Sequence, residues 1–358
     1  MQVILLKFIF CLNMMLVTGF LHTISEFNSN YNITALDQIT INHLFLDFKI
    51  KYQKSYSYLE NKKRLSIFKN NLNNILIEKR KNLTYKIGIN SLSDLTDEEF
   101  LNVQNNKFEV TKINFNQNIF LNSIYLPIKT NLKVNFEPKN VFLKGNNGIT
   151  YVKNQQKCGN SWAFSVAALL ESYYHSKYDS LINISPQTIF DCSNKSCLHG
   201  SHPIDGIKIA SNHKMNFLKD DPYIVRKKNR CSNGILDFTN LNYFTVPKTE
   251  EDIKKSFILF GPCTIGIYVE KEMKNYLSGI YDTLCDKTDE SNNPNHYMLL
   301  IGYGSESYKS GLTKDYWIMK NSWGKNWGEN GYIRIVRNQN FCSIENSYPI
   351  FIKTKKKN

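Results

Sequence analysis

No cysteine occurs between residues 21 and 157, whereas seven lie from Cys158 onward, so the two regions are built by different rules. Beyond the N-terminal stretch no apolar run is long enough to span a bilayer as a helix, and no membrane partner is expected. No internal repeat or long low-complexity block is present, which excludes a repeat architecture. Acidic residues are outnumbered, 31 against 45 basic, for a net charge of +14. The lysines are nevertheless scattered along every segment and gathered only in the tail "KTKKKN". A nucleic-acid or heparin surface needs clustering on one face, with aromatics interleaved for single strands. A solvated basic surface, without a nucleic-acid partner, is the reading that remains.

With 358 residues, 42% hydrophobic and 13% aromatic, the chain holds one large globular domain or two smaller ones with ample core. The opening "MQVILLKFIFCLNMMLVTGF" sets a Lys in a short apolar run and ends in small or β-branched residues, Val17 and Gly19. This is the pattern of a signal peptide over residues 1–19, removed with Cys11. It predicts a secreted protein, with a lysosome-like compartment as the alternative. Export to an oxidising compartment favours disulfides among Cys158, Cys192, Cys197, Cys231, Cys263, Cys285 and Cys342, with one thiol left over; spacing alone leaves the pairing open. N-x-S/T sequons at Asn32, Asn82, Asn183 and Asn194 are compatible with the same route.

Residues 41–80 carry apolar side chains at helical spacing, among them Leu65, Phe68, Leu72, Ile75 and Leu76, and predict two amphipathic helices. "YKIGINSLSDLTDEEF" reads as a short strand, a turn and a helix start, with Thr96 as N-cap and Glu99 three residues on. From about residue 102 to 133 the sequence is polar and weakly patterned, as a linker would be.

Glu60, Arg64, Phe68, Asn71 and Ile75 match five of six positions of the E-x3-R-x3-F-x2-N-x3-I-x3-N signature, with Lys79 in place of the final Asn. Gly88, Asn90 and Asp94 match a second motif, with Leu92 where an aromatic stands. Residues 20–133 thus resemble the inhibitory propeptide of papain-family, cathepsin L-like proteases. Residues 134–358 resemble the peptidase domain of that family. "VNFEP", with Phe136 for Trp, is followed in the family order by "YVKNQQKCGNSWAFS", "ISPQTIFDCS", "GPCTIGI", "NPNHYMLLIGYG" and "DYWIMKNSWGKNWGENGYIRI". "CLHGSHPIDGIKIASNHK" and "IENSYPIFI" are most similar to the mite group 1 allergen proteases. The implied fold is α+β and papain-like, with a helical left lobe, an antiparallel β-barrel-like right lobe and a helical prodomain in front.

The resemblance also assigns a site. Ser161 stands in the nucleophile position, where the family has Cys. His296 matches the base, Asn321 the residue that orients it, and Trp323 the ring that shields their bond. Gln155 matches the oxyanion-hole donor, and Gly200 the residue whose backbone pairs with the substrate at P2. A bare Cα there lets an extended peptide approach closely. The implied bridges are Cys158–Cys197, Cys192–Cys231 and Cys285–Cys342, which leaves Cys263, in an apolar strand, as a buried inert thiol. Trp317 and Trp327 read as core. Gln156 and Lys157 are bulkier than the family's residues beside the oxyanion hole. His199 and His202 have ligand-like spacing, but no further Cys or carboxylate cluster supports a metal, and no cofactor is called for.

A thiol at a helix N-terminus beside an imidazole ionises to a thiolate; a serine hydroxyl does not. Ser161 would need general-base help, and its base is oriented by a neutral Asn rather than a carboxylate. The expected loss of acylation is about 10³-fold or more, roughly 4 kcal/mol of barrier. The first reading is therefore a papain-family homologue without useful peptidase activity. Its partners would be its own prodomain and a peptide or protein ligand in the cleft, including protease inhibitors, with a decoy or competitor role. The second is a weak hydrolase using Ser161 and His296, as the silicateins, papain relatives with Ser at this position, reuse the scaffold. The third is a glycosaminoglycan binder using the positive charge. The scattered lysines predict release from a heparin column at or below physiological salt; retention to several-fold higher salt would reveal a clustered basic face.

Overall fold

The computed structural model describes residues 23–30, 35–81, 83–104, 141–142, 148–228, 230–246, 249–283, 285, 293–308 and 311–353. The leader with Cys11, the sequons at Asn32 and Asn82, most of the linker and "VNFEP" lie outside them. Among the described residues no helix is long and apolar enough to cross a membrane.

The N-terminal unit is helical. Helix α1, Ile24–Ser29, which the sequence pattern does not announce, is closed by a capping box between Thr23 and Glu26. Helices α2, Gln38–Lys51, and α3, Tyr58–Lys79, begin at Asp37 and Ser57, whose side chains accept from Thr40 and Glu60 N–H. Phe68 of α3 packs between Phe45 and Phe48 of α2, at centroid distances of 5.3 and 5.0 Å, with Leu72, Ile75 and Leu76 buried along the same stripe. Lys79 keeps a polar role in place of Asn: its ammonium donates to the carbonyls of Phe27 (2.5 Å) and Asn30 (3.1 Å), pinning the end of α1. Strand β1, Tyr85–Ile87, then leads through a turn to α4, Asp97–Gln104, where Thr96 and Glu99 exchange 3.0 Å hydrogen bonds as a capping box.

The C-terminal region has two parts. The helical lobe contains α5, Ser161–Tyr178, buried without a break from Ser161 to Ser172, together with α6, Pro186–Asp191, and α7, Pro203–Asn212. The other lobe holds α8, Glu250–Phe260, and most of the strands: β2, Val141–Phe142; β3, Tyr243–Thr245; β4, Cys263–Ile267; β5, Tyr276–Tyr281; β6, His296–Ser307; β7, Thr313–Lys320; β8, Tyr332–Val336; β9, Ile350–Ile352. These join β1 in a nine-stranded sheet of order β1-β5-β8-β7-β6-β4-β9-β3, with β2 on β6. All pairs are antiparallel except β5 with β8, which run parallel. The chain bridges Cys158 to Cys197, Cys192 to Cys231 and Cys285 to Cys342, and Cys263 is a buried free thiol whose pKa burial drives well up.

Strand β6 explains its own apolar sequence. Tyr297, Leu299 and Ile301 enter a core shared with the helical lobe, whereas Met298 and Leu300 enter a second core that runs on into the N-terminal unit. The period of two is intact, but both faces are buried, so the strand reads as a continuous apolar run.

The N-terminal unit docks by strand addition: β1 pairs with β5, Tyr85 opposite Gly279. Beside this pairing Lys274 is 1% exposed, and its ammonium meets the Asp97 carboxylate (2.5 Å), Asn71 Oδ1 (3.0 Å) and Leu95 O (3.1 Å). All three acceptors belong to the N-terminal unit, so departure of that unit would cost the ammonium all three bonds. Asp97→Ala is expected to weaken docking by about 2 kcal/mol, the low end for a buried pair because Asp97 is partly exposed. Hydrogen exchange of the β1 amides in the full chain should accelerate by about thirtyfold. Unchanged protection would show that Lys274 is not the clamp.

Candidate active site

The site forms where the N-terminus of α5 meets the start of β6. Ser161 is the first residue of α5 and fully buried, and His296 is the first residue of β6 and fully buried. The backbone N–H of Tyr297 donates to Ser161 Oγ at 3.2 Å, tying the helix to the strand.

His296 Nε2 lies 2.7 Å from Asn321 Oδ1. The Ser322 N–H donates to the same Oδ1 at 2.7 Å, which fixes that atom as the amide oxygen and makes His296 Nε2 the protonated nitrogen. Nδ1 is therefore the free lone pair of a neutral imidazole; it is buried and accepts no hydrogen bond among the described residues. Burial depresses the His296 pKa to about 4, against a smaller upward pull from the bond to Asn321. Trp323 covers the pair at 4.8 Å from the imidazole, and Phe100 of α4 caps Trp323 edge-on at 5.3 Å. The N-terminal unit thus closes the wall that keeps water from His296 and Asn321.

Gln155 is buried and held three ways: its N–H donates to Ser322 O (2.8 Å), its Nε2 to Cys158 O (3.0 Å), and its Oε1 accepts from Ser322 Oγ (2.5 Å). A primary amide has two N–H donors, so one remains for a developing oxyanion. Gln156 and Lys157 are exposed and line the cleft that Trp323 also borders, while Gln155 is buried behind them. Gly200 is buried two residues before His202. Trp317 and Trp327 are core residues, donating to Glu250 (2.6 Å) and Met273 O (3.1 Å).

One positioning group is not legible from the motifs. Glu171 of α5, fully buried, pairs with Lys153 Nζ at 2.6 Å and lies 4.0 Å from Lys320 Nζ, while Thr150 donates to its other oxygen. Lys153 precedes Gln155 by two residues and Lys320 adjoins Asn321, so one carboxylate anchors both segments that carry the site. The signal was a lone Glu inside the apolar run "AALLESYY". Burial lowers the Lys320 pKa to about 7 despite the carboxylate.

The histidines with ligand-like spacing are engaged elsewhere. His199 Nδ1 lies 3.0 Å from Ser196 Oγ, while His202 caps α7 through Nδ1 and reaches Ser347 O through Nε2 at 3.2 Å. His213 sits near Cys192 and Cys231, but those sulfurs are joined in a disulfide. Of the described sequons Asn194 is exposed, whereas Asn183 has its Oδ1 buried.

Comparison with known proteins gives a consistent result. Residues 137–351 match the papain family cysteine protease and residues 45–100 the cathepsin propeptide inhibitor domain. A cathepsin L-like proteinase of Phaedon cochleariae is 31% identical over 334 residues, covering 89% of this chain and 96% of that protein. Cathepsin L of Sarcophaga peregrina is 31% identical, covering 84% and 91%. Among solved structures, digestive procathepsin L 3 of Tenebrio molitor larval midgut superposes with a TM-score of 0.71 at 26% identity, covering 88% of this chain and 99% of that one.

The two buried histidines make stability depend on pH. His202, like His296, is held at about 4 by burial, with Asp205 pulling up and Lys208 pushing down. The unfolded chain binds these protons near pH 6.5 and the folded chain only near pH 4, so their contribution is complete above about pH 6.5 and lost as pH falls towards 4. Thermal unfolding should show Tm falling across that window, with a shallower fall in His296→Gln and His202→Gln. Equal slopes in all three proteins would contradict the burial of neutral imidazoles.

Proposed function

The chain belongs to the papain family of cysteine proteases and carries that family's propeptide inhibitor domain, and from this premise we propose that it has lost hydrolytic activity. The observation that carries the reading is Ser161 in the nucleophile position, with a neutral His296 whose Nδ1 receives no proton from it. A thiolate beside that nitrogen would stabilise the imidazolium; a neutral hydroxyl leaves burial to dominate. The helix N-terminus, which assists ionisation of a thiol, has no anion to stabilise when the residue is Ser. The Asn321, Trp323 and Gln155 scaffold then orients a base that no longer has a nucleophile matched to it.

The protein acts by recognition, as a decoy or competitor for ligands of active relatives, protease inhibitors among them. Its own prodomain is the first such partner, and the strand pairing and buried Lys274 support prolonged docking. Secretion belongs to the same proposal, with a lysosome-like compartment as alternative, supported by the three disulfides and the exposed Asn194. The likeness to mite group 1 proteases rests on "CLHGSHPIDGIKIASNHK" and "IENSYPIFI".

One observation favours a second reading. The buried Nδ1 lone pair is in the correct protonation state for a general base, so slow serine hydrolysis is its prediction. A fluorophosphonate probe separates the two. The full chain should show no labelling of Ser161 above that of His296→Ala; labelling that disappears in His296→Ala would establish a serine hydrolase instead.

A further inference from the structure

Two buried rings stand close to the site, one of them two residues beyond Gly200 in the chain. His202, two residues on, is 1% exposed, and its ring stacks edge-on against Tyr297 at 5.3 Å. Tyr297 is also 1% exposed, and its own N–H is the donor to Ser161 Oγ. The far side of the Tyr297 ring lies over the backbone of Gly266, where an added Cβ would come within 2.8 Å of Tyr297 Cε1 and of Pro294 Cβ. His202 Nε2 then reaches across to Ser347 O at 3.2 Å. Because Nδ1 accepts from Ile204 N–H, Nε2 carries the proton and is the donor in that bridge.

These contacts run from the helical lobe, His202, to the sheet lobe, Gly266, Pro294 and Ser347. Among the described residues neither these contacts nor the core that contains Tyr297 includes a residue of the N-terminal unit. A cavity of about 20 Å³ that borders Tyr297 lies towards α5 and β7, among Phe164, Leu299 and Lys320, and includes neither Gly200 nor His202. The larger cleft, about 580 Å³, lies on the other flank, at Trp323, Lys157 and Phe100, and includes neither Tyr297 nor His202.

We propose that Tyr297 and His202 form an internal plug in the side-chain pocket beside Gly200, so that the cleft admits a peptide only when the residue over Gly200 is glycine. This rests on the assignment of Gly200 as the peptide-pairing residue and narrows the decoy reading: ligands with a bulky P2 side chain are excluded. The Tyr297 hydroxyl is buried with no hydrogen bond among the described residues, so the ring is there for its volume, and Tyr297→Phe is tolerated.

The test installs a reporter thiol, Ser161→Cys, in the full chain cut at the linker by an added protease, both pieces retained. Two dipeptidyl fluoromethyl ketones, with Leu or Gly at the second residue from the electrophile, are compared by labelling rate. Prodomain rebinding slows both probes alike, so their ratio reports the pocket. The plug predicts that the Leu probe reacts at least tenfold more slowly than the Gly probe. In Ser161→Cys combined with Tyr297→Ala the Leu rate should rise at least tenfold, while Tyr297→Phe keeps the closed ratio. Equal Leu and Gly rates in Ser161→Cys alone would overturn the plug, and that comparison decides even if the Ala variant does not fold. A folded Ala variant without gain on the Leu probe would overturn it too. Neither result bears on the loss of hydrolysis, which the fluorophosphonate experiment decides on the chain with Ser161 in place.

Discussion

A single contact, the Tyr297 N–H donating to Ser161 Oγ across 3.2 Å, joins the first turn of α5 to the start of β6, and the site is arranged around that junction. It places a neutral hydroxyl in a fully buried position at a helix N-terminus, beside an imidazole that is also fully buried. Two charges in such a place would sustain each other; two neutral groups do not ionise at all. Burial holds the His296 pKa down at about 4, and a hydroxyl at position 161 supplies no anion to oppose it.

What surrounds the junction is preserved as architecture. Asn321 still fixes the imidazole, Trp323 still roofs it, and Glu171 still ties the Lys153 and Lys320 segments to α5. The prodomain follows the same logic. Arg64 bridges Glu60 and Glu99 at 2.6 Å each, Asn71 donates to the carbonyls of Ser93 and Leu95, and Asp94 accepts from Tyr56 and Lys54. Gly88 is needed because a Cβ there would fall 2.2 Å from Asn28 Oδ1. Apart from Gly88, these signature positions each satisfy a polar group at the packed helix surface.

Much of this could be read from residue order. Two helices within 41–80 and the Thr96 capping box follow from local periodicity and caps, the strand opening at His296 from its apolar run, and α5 beginning at Ser161 from the family resemblance, since Asn160 gives it no side-chain cap. What could not be read depends on partners distant in the chain. Lys274 looks like a surface lysine until Asn71, Leu95 and Asp97, about two hundred residues earlier, are brought to it. Helix α1 is too short to be seen by periodicity and stands on Lys79 and on Asp47, which accepts from Ile24 N–H. Tyr297 sits in an apolar run and His202 in a loop, and neither pattern shows that they meet between the lobes. The parallel pairing of β5 with β8 is likewise a matter of topology.

The charge state of one ring decides most directly whether this is a protease scaffold without its chemistry. A pH titration of the His296 ring followed by NMR in the full chain should find a neutral imidazole, protonated on Nε2, that persists down to about pH 4. A ring protonated at neutral pH, with a pKa at or above about 6.5, would mean that His296 is paired with an anion and would contradict the account.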